Sequence, residues 1–174
     1  MAEIWLARRI RANDQRIIHS EQHSQWLLWF SVVSAVSLAL LFKQLAWLPL
    51  PIAYLPRQLL ALALFAAGLY LRYAAIAQLG HLFTTHIAVQ QQHSLIKTGP
   101  YRWLRHPAYS GLLLALAAAG LAMGDSGAIL ALMLLPFAAF SVRIKLEETM
   151  LKQAFGEGYT AYCQQTWRMI PWIY

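Results

Sequence analysis

Between Trp26 and Phe42 the chain carries no charged residue, and two more long apolar stretches follow. About 20 apolar residues suffice to cross the hydrocarbon of a bilayer, so this repetition fixes the solvent before anything else. A first span covers residues 26–48, where Lys43 can snorkel to the far interface and Trp47 suits headgroup level. The stretch holding Pro49, Pro51 and Pro56 cannot continue a helix and makes an external loop. A second span runs from about Leu59 to Leu79. The third stretch, Ala108 to Val142, is broken only by Gly124-Asp125-Ser126-Gly127. It is too long for one crossing and short for two, which predicts a tight helical hairpin. Gly111, Ala115, Ala118, Ala119 and Gly120 would let its two helices approach closely. Composition agrees: 59% of the 174 residues are hydrophobic and 12% charged, where a soluble domain carries about 25% charged residues. The expected fold is all-α, a multi-pass membrane helix bundle of about four spans. It forms one domain over residues 1–174, with no room for a separate soluble catalytic unit.

Ahead of the first span, residues 1–25 place Arg8, Arg9, Arg11 and Arg16 among Ile4, Trp5, Leu6, Ile10, Ile17 and Ile18. These spacings read as a basic amphipathic helix lying on the membrane surface. The first apolar run starts too far from Met1, and continues too long, for a cleavable signal. Residues 80–107 form the longest polar stretch, with a short hairpin or extended loop expected around Phe83 to Val89. Positive charge sets the orientation. The N-terminal segment, the 80–107 loop (Lys97, Arg102, Arg105) and the tail (Arg143, Lys145, Lys152, Arg168) hold nearly all the Lys and Arg. Both termini and the long loop are therefore expected on the cytoplasmic side. The net charge of +7 is explained by this bias and by anionic lipid, without nucleic acid. Cys163, the only cysteine, excludes an intramolecular disulfide.

The hairpin has a chemical consequence. It returns the chain to the side it left, so Arg102, Arg105, His106 and Tyr109 should meet Arg143, Glu147 and Glu148 beside apolar walls, the general recipe for a ligand pocket. Arg143 and Glu147 are four apart and share a helix face, while Glu148 lies about 100° round. Two adjacent carboxylates at the exit of a membrane helix are costly unless something cationic or hydroxylated satisfies them. An interfacial Arg143–Glu147 pair with a solvated Glu148 is the plainer alternative. Arg72, inside the second span, either snorkels to the edge or contacts a substrate, and snorkelling is the preferred reading. His19 and His23 lack a third metal ligand, so no metal is expected. His81 and His86 read as interfacial polar groups.

The string Thr98-Gly-Pro-Tyr-Arg-Trp-Leu-Arg-His-Pro-Ala-Tyr-Ser-Gly111, followed by Arg143, Glu147-Glu148, Phe155-Gly156, Tyr159-x-x-Tyr162 and Ile170-Pro171, resembles the signature of isoprenylcysteine carboxyl methyltransferases and the related phospholipid methyltransferases. The resemblance covers residues 80–174. It implies an enzyme that uses S-adenosylmethionine to methylate a lipophilic acceptor reached from the bilayer, most simply the carboxylate of a prenylated cysteine. It further implies that Glu147 and Glu148 accept from the cofactor's ammonium or ribose, and that Lys97, the backbone near Gly99 and His106 donate to its carboxylate. Tyr101, Tyr109, Tyr159 and Tyr162 would pack on adenine or bond at the rim. Arg105 or Arg143 would hold a carboxylate acceptor, whereas an amine acceptor would need Glu147 or Glu148 as base. The expected partners are membrane lipids and that prenylated acceptor. Three alternatives stand beside this one: N-methylation of a phospholipid headgroup, a sterol-reductase-like enzyme using NADPH, and a non-catalytic scaffold. The last leaves the Glu pair unexplained.

Overall fold

The computed structural model describes the backbone of residues 2–80 and 95–174, with side chains in those ranges from residue 23 onward. The expected hairpin at Phe83–Val89, His81, His86, the side chain of His19 and the polar face of the first 22 residues lie outside the described side chains. The described elements are helical: α1 (Ala2–Leu45), α2 (Tyr54–Leu79), a 3-10 turn (Gly99–Arg102), α3 (Pro107–Met123), α4 (Ser126–Phe155) and α5 (Glu157–Gln164). In hydrocarbon every backbone polar group needs an internal partner, which long helices supply. The portion His23–Leu45 of α1, together with α2 and α4, is long and apolar enough to cross a membrane. At 17 residues α3 is shorter, about 26 Å at 1.5 Å per residue.

Two boundaries differ from the sequence reading. Residues 1–25 were expected as a separate surface helix, but the described backbone from Ala2 continues into the first span without a break. No Pro or Gly interrupts the chain there. Pro56 was expected in the external loop and lies instead in the first turn of α2, where its missing N–H removes no intrahelical bond. The second span accordingly begins before Leu59.

The hairpin forms as expected, with Gly124 in the left-handed conformation and Asp125 capping α4. Asp125 Oδ1 accepts from the backbone N–H groups of Gly127 at 2.8 Å and Ala128 at 3.3 Å, and Oδ2 accepts from Leu48 at 2.9 Å. One buried carboxylate thus caps the helix and ties it to the α1–α2 loop, because helix N-terminal N–H groups have no internal acceptor.

Packing runs in the order α1, α4, α3, α2, so the hairpin stands between the first two helices. Ala35 and Ala39 of α1 meet Ala128, Ala131 and Leu132 of α4. The small residues of α3 divide their work. Gly120 lies against Ile129, so that an added Cβ would stand 2.6 Å from its Cα, as expected for the hairpin. Gly111 and Ala115 instead face α2: a Cβ on Gly111 would stand 2.5 Å from the Gly68 carbonyl oxygen and 2.7 Å from the Arg72 nitrogen. Without a hydrophobic drive between helices in lipid, such close approach supplies the packing.

Beyond α4 the chain breaks at Gly156 (φ 52°) as the Phe155-Gly156 pattern suggested, then α5 turns back. The tail is stitched to the segment before α3. Arg105 donates its backbone N–H to Trp167, His106 donates to Arg168, and Trp167 donates to Trp103, at 2.8, 2.9 and 3.1 Å. The Ser110 hydroxyl adds a bond to the Met169 carbonyl at 2.6 Å.

Candidate active site

That stitching brings four stretches to one end of the bundle: the Arg105-His106 pair, the first turn of α3, the last turns of α4 and the tail. Pro107 opens α3 and leaves His106 as its cap residue, aimed across at α4. The spacing of α4 then presents Arg143, Glu147 and Glu148 to it.

Glu148 is the most enclosed member, its side chain 4% exposed. Its Oε1 accepts from Arg105 Nε at 2.8 Å, and its Oε2 accepts from Arg168 Nε at 3.0 Å, with Arg168 Nη2 equally near. Arg105 is fixed further by donating Nη1 to the carbonyls of Cys163 and Thr166 at 2.8 and 2.6 Å. On Glu147, Oε1 accepts from Tyr109 Oη at 2.5 Å and from Arg143 Nε at 3.2 Å; Arg143 Nε also donates to Tyr109 Oη at 2.9 Å. His106 bridges the two carboxylates, with Nδ1 3.3 Å from Glu147 Oε2 and Nε2 3.7 Å from Glu148 Oε1.

Burial disfavours the charged imidazole, but both glutamates outweigh it and carry His106 above its ordinary pKa. A doubly protonated ring is the form that offers an N–H to each neighbour. With His106 charged, three guanidiniums and an imidazolium surround two carboxylates. The site therefore carries net positive charge in a low-dielectric wall, which favours an incoming anion.

Several expectations can now be placed. Arg105, His106, Tyr109, Arg143, Glu147 and Glu148 do converge, whereas Arg102, expected with them, is exposed with its guanidinium over the Trp103 ring. Glu148 is not the solvated residue of the plainer reading but the hub of two ion pairs. Tyr162 is a strut: its hydroxyl donates to the Tyr101 carbonyl at 2.6 Å, and burial pushes its phenol up to about 12. Burial likewise raises Tyr101. Lys97 is exposed, its Nζ 5.9 Å from the Tyr162 ring centre, and Gly99 (φ 59°) opens the 3-10 turn. Tyr159 is buried, and burial followed by the field of Glu148 raises its phenol, so it remains a donor. Sequence reasoning missed Arg168 and Ser110. A second buried carboxylate beside the Arg143–Glu147 pair called for a second cation, and the tail offered Arg168.

Two buried atoms in this region have no hydrogen-bond partner among the described residues: His106 Nε2 and the Tyr159 hydroxyl, although the Cys163 thiol, a weak acceptor, stands beside the latter. Buried polar groups are normally paired, so each of these two atoms has capacity for a further partner. A cleft of about 240 Å³ opens where Arg105 meets the tail, lined by Arg105, Cys163, Thr166, Trp167, Arg168 and Trp172.

Spanning helices with a buried, cation-rich site built from their ends define an integral membrane enzyme. Comparison with known proteins makes the class specific. The model of the isoprenylcysteine carboxyl methyltransferase (ICMT) family matches residues 59–153, from α2 through the glutamate pair. A probable protein-S-isoprenylcysteine O-methyltransferase of Oryza sativa subsp. indica is 32% identical over 148 residues, 83% of this chain and 73% of the relative. The protein-S-isoprenylcysteine O-methyltransferase of Schizosaccharomyces pombe is 32% identical over 115 residues, 65% of this chain and 49% of the relative. The solved eukaryotic intramembrane Ras methyltransferase superimposes with a TM-score of 0.67 at 27% identity, covering 83% of this chain and 52% of that one. This chain thus spans about half the length of that solved structure. It belongs to the isoprenylcysteine carboxyl methyltransferase family and is a membrane methyltransferase.

Proposed function

We propose that the chain transfers a methyl group from S-adenosylmethionine to the carboxylate of an isoprenylcysteine-type acceptor, at the cytoplasmic end of a four-span bundle. The observation that carries this reading is the state of the glutamate pair. All four carboxylate oxygens are engaged by Arg105, Arg168, Tyr109, Arg143 and His106. An amine acceptor needs a free base, and neither glutamate offers one. A carboxylate acceptor needs none, and the net positive site attracts it. Headgroup N-methylation is disfavoured on the same ground.

The residues present fit the donor. His106 Nε2, with only its 3.7 Å contact to Glu148, and Tyr159 Oη, beside only the weak acceptor Cys163, are donors with capacity left, suited to ribose hydroxyls or the amino-acid carboxylate, and Trp167 and Trp172 offer aromatic faces at the cleft. When bound, S-adenosylmethionine supplies a methyl group on a sulfonium, which a carboxylate oxygen attacks directly. The protein supplies orientation, electrostatic attraction and exclusion of water. Arg105, locked by Glu148 and two carbonyls, holds the segment before α3 in register with the tail. Tyr109 and Arg143 fix Glu147, which with Glu148 keeps the His106 ring in place. The cytoplasmic placement rests on the positive charge gathered in the loop and tail.

Purified protein in phosphatidylcholine vesicles, given labelled S-adenosylmethionine and an S-prenylated N-acetylcysteine, tests the reading. Formation of a base-labile methyl ester is expected. Label found only in phospholipid headgroups, or saturable NADPH binding with no methyl transfer, would overturn it.

A further inference from the structure

Arg57 carries a guanidinium that finds no acceptor among the described residues. It sits at the end of the bundle opposite the glutamate pair, where its backbone N–H closes the first turn of α2 on the Ala53 carbonyl at 3.2 Å. Its side chain reaches across to the hairpin turn. A Cβ on Gly124 would stand 2.5, 2.6 and 2.8 Å from Nη1, Cζ and Nη2, so the guanidinium lies face-on to that glycine. Only a residue without a side chain allows this contact, and the φ of 80° at Gly124 favours glycine independently. The exposed Tyr54 ring lies 5.7 Å from Cζ, within cation–π range.

Neither contact satisfies an N–H. Nε is buried without a partner, and the two Nη groups, which remain accessible, are also unpaired among the described residues. The nearby acid is already engaged. Asp125 is the only acid in residues 40–60 and 116–130. It is buried, and both its oxygens accept from the backbone of Leu48, Gly127 and Ala128. Lys43, exposed in the last turn of α1, adds a second cation at this end. The result is a fixed positive fork with no counterion.

The surroundings say what completes it. Trp47 and Tyr54 are both exposed here, as aromatic residues are at the headgroup level of a bilayer. Leu55 and Leu59, on the same stretch of α2, are exposed and apolar, so acyl chains can lie along the helix beneath the fork. A guanidinium presents paired N–H donors that match phosphate oxygens bidentately. A soluble anion would engage the fork but leave that apolar flank unused.

We propose that Arg57, seated between Gly124 and Tyr54, binds the phosphodiester of an anionic glycerophospholipid at the end of the bundle remote from methyl transfer. The bound lipid ties the start of α2 to the hairpin turn and so stabilises the folded chain.

The test uses full-length protein in a maltoside detergent, which carries no phosphate. Phosphatidylglycerol, diacylglycerol with the same acyl chains, and millimolar inorganic phosphate are each titrated in. Melting is followed by tryptophan fluorescence, and lipid retention by native mass spectrometry. Wild type should melt higher with phosphatidylglycerol than with diacylglycerol at equal mole fraction. Arg57→Gln should need about tenfold more phosphatidylglycerol for the same rise, since a charged hydrogen-bonded contact is worth that much. Its S-adenosylhomocysteine affinity should stay within about twofold of wild type, because the change lies at the far end of the bundle. Arg57→Lys keeps the charge without the planar fork; it should bind the lipid more weakly than wild type, and it carries the readout should Arg57→Gln fail to fold. Equal dependence on phosphatidylglycerol in wild type and both folded variants overturns the site. An Arg57-dependent rise with inorganic phosphate alone, matching that with phosphatidylglycerol, overturns the lipid as its occupant.

Discussion

Replacing Glu148 by Gln should be the most damaging conservative change in the site. The amide keeps the shape of the side chain but removes the charge that two guanidiniums share. Arg105 is 10% exposed and Arg168 32%, both within 3.0 Å of the carboxylate. Removing one member of a buried pair costs about 3–5 kcal/mol. Because Arg168 can still reach water, the lower end applies, about 3 kcal/mol. For a domain of this size 1 kcal/mol moves the midpoint by about 2–4 °C, so the variant should melt about 6–12 °C below wild type. Thermal unfolding in mild detergent, followed by tryptophan fluorescence, measures this. Removing Arg105 as well should cost less than the sum of the single changes, with a coupling above about 1 kcal/mol, because each single variant strands the other's charge. A single variant within about 1 °C of wild type, or strict additivity, would refute the reasoning.

His106 gives a pH signature. Its folded pKa lies above the ordinary 6.5, so its stabilisation is complete below pH 6.5 and is lost as pH rises through the folded value. The midpoint of wild type should fall over that window more steeply than that of His106→Gln, as a pH series of melts would show. Asp125→Ala removes the cap of α4 and strands the Leu48 N–H. Losing about 1 kcal/mol for the cap and a similar amount for the orphaned donor should lower the melting point while leaving the acceptor KM unchanged, since Asp125 lies at the far end of the hairpin. Gly68→Ala would press a methyl to 2.6 Å from the Gly111 carbonyl oxygen and 2.8 Å from the Ala115 nitrogen. Overpacking of about 1–3 kcal/mol should appear in the same melts.

The hairpin was legible because apolar length and a Gly-Asp-Ser-Gly break are local properties, and so was the Arg143–Glu147 pair, which helical spacing dictates. The meeting of Arg105 and His106 with the glutamates followed from topology alone. What sequence did not reveal depends on contacts without a local signal. Gly111 has the same small side chain whether it faces α4 or α2, and only packing order sends it to Gly68. The continuity of α1 was hidden by the change from basic to apolar residues near Trp26, which alters the solvent a helix prefers without ending the helix. Arg168 pairs with Glu148 only because backbone bonds from Trp167 and Arg168 dock the tail beside α3. The bond from Arg72 to the Ala108 carbonyl was hidden in the same way, since its acceptor lies 36 residues away.

The account places the methyl donor against the hydroxyl of Tyr159. The most direct measurement is a calorimetric titration of S-adenosylhomocysteine into wild type and Tyr159→Phe, with melting points of the free proteins alongside. The hydroxyl has only the weak Cys163 acceptor beside it, so its removal should cost the free protein little and leave the melting point within about 2 °C, while affinity should fall about tenfold, or about 1.4 kcal/mol. Equal affinity in the two proteins would contradict the placement of the donor.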